Sequence, residues 1–94
     1  MVRVLIERWL AEGEEHLLHE AMRELRREAL HVSGYLSGET LRNASDPTHY
    51  VVLSTWRSIK EWQDWNSSET RKRIEERVRP LLMADEKFTV LEPT

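Results

Sequence analysis

The sequence predicts an α+β fold of the ferredoxin-like type, in which helices cover one face of a four-stranded antiparallel sheet. Four segments are rich in the β-branched and aromatic residues that favour strands, and the segments between them repeat apolar residues at helical spacing. Their order along the chain is β-α-β-β-α-β, which is the order of the split β-α-β arrangement. With 94 residues, the chain is expected to form one domain over residues 1–94.

The first half of the chain supplies a strand and the longest helix. Residues 2–10 are rich in strand-forming types and stop at Ala11-Glu12-Gly13. From residue 14 to residue 31, apolar side chains recur at helical spacing. Acidic residues open this segment and basic residues crowd its later turns, which the helix dipole favours.

The middle of the chain predicts a hairpin. Residues 35–42 and 50–56 are extended segments, and the turn formers of residues 43–47 join them.

The remaining elements are a pair of helices and a last strand. Ser58 and Glu61 have the spacing of a capping box, which starts a helix. The Asn-Ser-Ser sequence at 66–68 interrupts that helix, and either Ser67 or Ser68 caps a further one. Residues 87–91 form the final short strand.

The composition excludes several classes of function. Lys and Arg number 14 against 17 Asp and Glu, so the net charge of −3 argues against a nucleic-acid stripe or a basic membrane patch. Without cysteine the chain has no disulfide, thiolate metal site or cysteine nucleophile. No apolar stretch is long enough to span a bilayer and no secretory signal is visible, so we expect a cytoplasmic protein. His16 and His19 lack a third ligand and are expected to be solvated, so no metal site is predicted.

A homodimer is predicted from strands that are apolar on both faces. Val4-Leu5-Ile6 and Tyr50-Val51-Val52-Leu53 do not alternate as a strand with one wet face should. Because the helices cover only one face, a second copy of the chain is expected to cover the other. The alternative is an open face that keeps a tolerable apolar patch.

Aromatic residues predict a ligand site. The hairpin and the helices after it carry a set of large or polar side chains: Tyr35, Glu39, Ser54, Trp56, Trp62, Trp65 and Arg71. The predicted topology brings their segments to one sheet edge, where bulky indoles leave an irregular cavity of the kind that binds small ligands. Trp65 fits ordinary core packing and a cavity wall equally well, whereas core packing is favoured for Trp62.

Two stretches resemble the antibiotic biosynthesis monooxygenase family of dimeric α/β barrels. Residues 34–42 resemble the second strand of its small bacterial members. The second stretch resembles the strand-to-helix segment that is typical of the family. It comprises residues 52–58, followed by Trp62, Trp65, Ser68 and Arg71.

The resemblance implies a pocket in each subunit of a homodimer and a monooxygenase that needs neither metal nor flavin. Its aromatic hydroxy substrate, once deprotonated, would pass an electron to O₂ itself. The expected ligand is a small aromatic or quinol-like molecule, and the residues expected to hold it are Trp65, Trp56, Tyr35, Ser54 and Trp62. Arg71 or Arg42 would stabilise the substrate oxyanion, and Glu39 would serve as a base if it were buried.

Two alternatives stay open. The first is a non-catalytic barrel that binds a small ligand or acts in a stress response. The second, which is less favoured, is a haem-binding or haem-degrading protein. Haem-degrading members use an asparagine, a tryptophan and a histidine. In an ungapped alignment, this chain has Glu7 in place of the asparagine, Trp65 at the tryptophan and Glu75 in place of the histidine.

Overall fold

One antiparallel sheet organises the molecule, and the computed structural model describes all of residues 1–94. Its strands are β1 (Val2–Trp9), β2 (Tyr35–Arg42), β3 (His49–Trp56) and β4 (Lys87–Leu91). The strand order is β2-β3-β1-β4, with every neighbouring pair antiparallel. Each β-α-β connection therefore skips one strand, which confirms the predicted ferredoxin-like arrangement.

Three α-helices follow the predicted order. They are α1 (Glu15–Ala29), α2 (Ile59–Asn66) and α3 (Glu69–Val78), and a short 3₁₀ helix (Arg79–Leu81) continues α3. The predicted break at 66–68 is confirmed. Ser68 is the residue that caps α3, because its hydroxyl accepts the Arg71 backbone N–H at 3.2 Å. The Ser67 hydroxyl instead donates to the Gln63 carbonyl oxygen at 3.0 Å.

A polar cluster ties the start of β2 to the start of α2 and so positions the tryptophans of α2. The Ser58 hydroxyl accepts the Glu61 N–H at 3.2 Å, as the capping box predicts. The Glu61 carboxylate, however, accepts from the side chains of Ser33, Arg57 and Ser58. The hydrogen bond from Arg57, with those from Ser33 and Ser58, lowers the pKa of Glu61 to about 2. Gly34 has a φ of 90° and lies against the Glu61 side chain, so a larger residue has no room there.

The helices cover one face of the sheet, and the core on that face has two parts. One apolar cluster gathers around Val4, Trp56 and Trp62, and the other around Leu10, Leu18 and Ile74. Arg8 falls on the same face of β1 as the buried Val4 and Ile6 and is only 2% exposed. A buried guanidinium therefore lies in the strand that supplies Val4 to the first cluster and is followed by Leu10 of the second.

The opposite face of the sheet, which we call the open face, has no helix over it. Leu5, Val51 and Leu53 project from it and are partly exposed. Near one end, His49 Nε2 lies 3.1 Å from Glu7 Oε1, and the Trp9 ring stacks on His49 at 4.9 Å. The strands are thus apolar on both faces, as the sequence indicates.

The longest helix, α1, has 15 residues, and none of the helices combines the length and the apolar character that crossing a membrane requires.

Candidate functional site

A cavity with a volume of about 70 Å³ lies between the sheet and the helices. We call it the aromatic cavity. The structure brings five predicted ligand residues to its wall: Tyr35, Ser54, Trp56, Trp62 and Trp65. Ala29 and Met22 of α1 line the opposite side. The exposed Arg26 and Thr40 also belong to the lining, so the cavity opens to solvent between α1 and the edge strand β2.

Edge-to-face contacts hold the aromatic wall together. The Tyr35 and Trp56 ring centroids are 5.3 Å apart, and those of Trp56 and Trp62 are 5.7 Å apart, with interplanar angles of 75° and 64°. Trp56 Nε1 donates to Ser54 Oγ at 3.1 Å. The indole N–H of the buried Trp56 is therefore hydrogen-bonded within the wall, and the hydroxyl of Ser54 accepts that bond.

Tyr35 reaches into the lining because the neighbouring position is a glycine. A Cβ atom at Gly38 would overlap the Tyr35 hydroxyl, so a larger residue there would displace this ring. Burial raises the pKa of Tyr35 above its ordinary value, and the charge of Arg26 offsets only part of that rise. The Tyr35 phenol is thus neutral at physiological pH and can donate a hydrogen bond.

The floor of the cavity holds a charged group that the sequence analysis missed. Arg8 Nε donates to Glu86 Oε2 at 3.0 Å, and Arg8 Nη2 donates to Glu75 Oε1 at 2.8 Å. Arg8 Nη1 has only the Met22 sulfur as an acceptor, at 3.3 Å. A thioether is a weak acceptor, so this buried N–H group remains available for an oxygen atom in the cavity.

Arg71 completes a buried cluster with Arg8, Glu75 and Glu86, which we call the arginine–glutamate cluster. Arg71 Nη2 lies 3.1 Å from Glu86 Oε1 and 3.6 Å from Glu75 Oε1. Its guanidinium also lies over the Trp62 ring, 5.5 Å from the centroid. Arg71 lines the cavity, and its Nη2 already contacts the carboxylates of Glu86 and Glu75.

The two carboxyl groups of the cluster have opposite pKa shifts. Burial and the neighbouring Glu86 together raise the pKa of Glu75 more than the charges of Arg8 and Arg71 lower it. Burial also raises the pKa of Glu86, but Arg8, a hydrogen bond from Glu75 and Arg71 together outweigh that effect, so its pKa lies below the ordinary value. Glu86 is therefore the ionised partner of the arginines, and Glu75 is the carboxyl group that takes up a proton more readily.

Residues 1–77 match the sequence profile of the family described as Antibiotic biosynthesis monooxygenase. The chain belongs to this family. A comparison with curated protein sequences found no match.

Several solved structures have a similar fold. A crystal structure named antibiotic biosynthesis monooxygenase is 15% identical, with a TM-score of 0.90, and the match covers 100% of this chain and 99% of the other. A conserved protein from Methanosarcina mazei Go1 is 14% identical, with a TM-score of 0.93 and coverage of 99% and 92%. A protein from Mycobacterium tuberculosis is 18% identical, with a TM-score of 0.89 and coverage of 99% and 94%. At these identities the likeness concerns the fold.

Two candidate residues of this antibiotic biosynthesis monooxygenase family member lie away from the floor of the cavity. Glu39 is among the residues that line the cavity, but it pairs with Leu53 across the sheet, so its side chain projects toward the open face and is exposed. The burial on which its role as a base depends is therefore absent. Arg42 is also exposed and lines a neighbouring surface groove.

The structure separates the three residues that the ungapped alignment places at the positions used by haem-degrading members. Glu7 lies on the open face beside His49, whereas Ile6 and Arg8 are the β1 residues that line the cavity. Glu75 is held by Arg8 in the arginine–glutamate cluster. No group of three His, Cys, Asp or Glu side chains is arranged to hold a metal ion.

Proposed function

We propose that the chain is a monooxygenase that uses neither metal nor flavin and oxidises a small aromatic or quinol-like molecule in the aromatic cavity. Membership of the family supports a monooxygenase. The observation that carries the choice of ligand is the pairing of an aromatic wall with a buried donor, Arg8 Nη1, whose only acceptor is the weak Met22 sulfur. Flat rings stack on indoles, and a phenolate oxygen is a far stronger acceptor than the Met22 sulfur.

The size of the cavity requires it to widen when a ligand binds. Its volume of about 70 Å³ is smaller than the roughly 300–1,000 Å³ of ordinary ligand sites. Met22 and Arg26 border the cavity on the α1 side and have long, unbranched side chains. Rotation of these two side chains would admit a ring while the tryptophan wall stays in place.

The arrangement suits a reaction in which the substrate supplies all the electrons. The hydrogen bond from Arg8 Nη1 lowers the pKa of the substrate hydroxyl and stabilises the phenolate. The phenolate passes one electron to O₂, and the ring radical combines with superoxide at a ring carbon that carries hydrogen. The peroxide takes up a proton and then loses water to leave a carbonyl. One oxygen atom ends in the product and the other in water, so no external reductant is needed.

We also propose that the chain forms a homodimer through the open face. Half-buried Leu5, Val51 and Leu53 form its centre, while Leu41 and Leu91 are 49% and 44% exposed. A twofold axis would pack this face against an identical one, which is the usual way in which small oligomers close. Such packing would bury apolar area that now faces water and would convert two sheets into one barrel.

A non-catalytic ligand-binding protein is the second candidate, and one observation favours it. The aromatic cavity holds no buried carboxylate or histidine that could take the proton of a substrate. Under this alternative the same ring system binds, but oxygen is not consumed.

Measuring oxygen consumption by chelator-treated protein, with 1,4-dihydroxynaphthalene as the substrate, separates the two candidates. We expect uptake above the spontaneous rate and one ¹⁸O atom from ¹⁸O₂ in the product. Ala29→Leu fills the cavity from α1 and should reduce uptake to the spontaneous rate. Binding without protein-dependent uptake would favour the ligand-binding protein and overturn the proposed oxygenase.

A further inference from the structure

A surface groove lies beside the aromatic cavity, between α1 and β2, and has a volume of about 460 Å³. Its lining includes four basic side chains and no carboxylate: His19, Arg23, Arg26 and Arg42. We call it the basic groove. The whole chain has a net charge of −3, so this concentration of positive charge is local.

The arginines of the basic groove have no acidic partners. Arg23, Arg26 and Arg42 are exposed and take part in none of the salt bridges of the chain. In contrast, Arg8 and Arg71 each contact two carboxylates. Three guanidiniums that line one concave surface without a counter-charge are well suited to an anionic oxygen group.

The local structure fixes these side chains on the same groove. Arg23 and Arg26 are three residues apart on α1 and therefore share a side of the helix. Arg42 pairs with the buried Tyr50 across the sheet and so lies on the face that the helices cover. One wall thus comes from a helix and the other from an edge strand.

The basic groove and the aromatic cavity are continuous. Met22, Arg26 and Thr40 line both of them. The cavity has room for part of a ring system, whereas the groove has room for the rest of a larger molecule.

We propose that the basic groove binds an anionic group, a carboxylate or a phosphate, on the same ligand whose ring enters the aromatic cavity. This inference rests on the proposed function and narrows its substrate class to aromatic hydroxy compounds that carry an acid. The ring lies against the tryptophans, and the acid lies between Arg23, Arg26 and Arg42.

Calorimetric titration with two matched probes tests the proposal. The probes are 2-naphthol and 6-hydroxy-2-naphthoic acid, which differ by one carboxylate. The negative net charge of the chain disfavours the binding of anions overall. A higher affinity for the acid than for 2-naphthol therefore indicates binding at the basic groove. We expect the acid to bind roughly 3- to 10-fold more tightly at low salt, as exposed charge pairs allow, and salt to reduce that gain.

Two double variants locate the effect. Arg23→Gln with Arg42→Gln removes two groove charges at residues that do not line the aromatic cavity. Arg27→Gln with Arg73→Gln removes two exposed charges elsewhere and is the matched control. The Arg23→Gln, Arg42→Gln variant, which we call the groove variant, should bind the two probes with equal affinity. The control variant should still bind the acid more tightly than 2-naphthol.

Each outcome decides one part of the proposal. Equal affinity of the wild-type chain for both probes, or equal loss of the gain in both variants, would overturn the basic groove as a binding site. Binding of the acid alone, with loss in the groove variant, would support the groove and contradict the aromatic cavity as a ligand site. If neither probe binds, both proposals are wrong.

Discussion

The buried guanidinium of Arg8 lies where the alternation of β1 requires an apolar residue. Its charge is balanced by Glu75 and Glu86, and Arg71 supplies a second positive charge. Burying charged groups is expensive unless each is paired and hydrogen-bonded. We expect that the cluster adds less to stability than apolar residues of the same volume would, and that its benefit is the fixed donor at the floor of the cavity.

Glutamine substitutions at the two carboxyl groups are predicted to act differently. Glu86→Gln leaves the guanidiniums undercompensated and should lower the free energy of unfolding by about 3 kcal/mol at neutral pH. Glu75→Gln should cost less, because burial raises the pKa of Glu75, so the fold stabilises its ionised form less than that of Glu86. Urea unfolding of both variants beside the wild-type chain measures the difference. Equal losses would show that the two carboxyl groups are equivalent.

The pH dependence of these two variants should have opposite signs. The ordinary pKa of both groups is 4.5. Glu86 has a lowered pKa in the folded state, so its stabilisation is present above pH 4.5 and is lost as the pH falls through its folded-state pKa. Glu75 has a raised pKa, so its contribution is present below pH 4.5 and is lost as the pH rises through its folded-state value. The deficit of Glu86→Gln should therefore shrink on acidification, while the wild-type chain should lose stability relative to Glu75→Gln as the pH rises above 4.5.

Sequence patterns pointed to the aromatic residues and to Arg71 but missed Arg8 and Glu86. The order of strands and helices along the chain predicts which elements lie side by side. It therefore predicted that Tyr35, Trp56 and Trp65 meet at one sheet edge. Arg8 follows Val4 and Ile6 at the strand period, and this spacing is the signal that it faces the helices. Glu86 lies in the loop before β4, where no periodicity indicates a contact.

At the level of elements, the gap between α2 and α3 turns the chain so that tryptophans and Arg71 reach the same cavity. Trp62 and Trp65 come from α2, whereas Arg71 lies in the first turn of α3. The serines in this gap have different roles, and their spacing alone did not decide which of them caps the helix.

Alanine substitutions of these adjacent serines should separate those roles. Ser68→Ala removes the hydroxyl that accepts the Arg71 N–H and should lower the free energy of unfolding by about 1 kcal/mol. Ser67→Ala is the matched control, because its exposed hydroxyl donates back to a helix carbonyl, and a change within about 0.5 kcal/mol is expected. Thermal melting of both variants provides the measurement. A larger loss for Ser67→Ala would contradict the assignment of the cap.

At the scale of the whole molecule, the unpartnered open face is the feature that one chain leaves unexplained. The strand order and the antiparallel pairing could be predicted because the order of helices and strands permits few arrangements. The sequence predicts that something covers the open face, because this face is apolar. No residue pattern specifies which molecule covers it.

Light scattering tests the proposed dimer. The wild-type chain at micromolar concentration should show about twice the 11.2 kDa chain mass. Leu53→Lys places a charge at the centre of the open face and should give a monomer. Leu17→Lys is the control, because Leu17 lies on α1 and is 51% exposed, and it should leave the mass unchanged. A wild-type monomer, or a Leu53→Lys dimer, would contradict the proposed interface.

The most direct test of the aromatic cavity as a ligand site is a ¹H–¹⁵N titration of the four indole N–H signals with 2-naphthol. Trp56, Trp62 and Trp65 line the cavity, whereas Trp9 stacks on His49 at the open face and serves as an internal control. We predict that the three cavity signals move together and saturate at one ligand per chain, while the Trp9 signal stays in place. Movement of Trp9 alone, or small shifts of all four signals without saturation, would contradict the account.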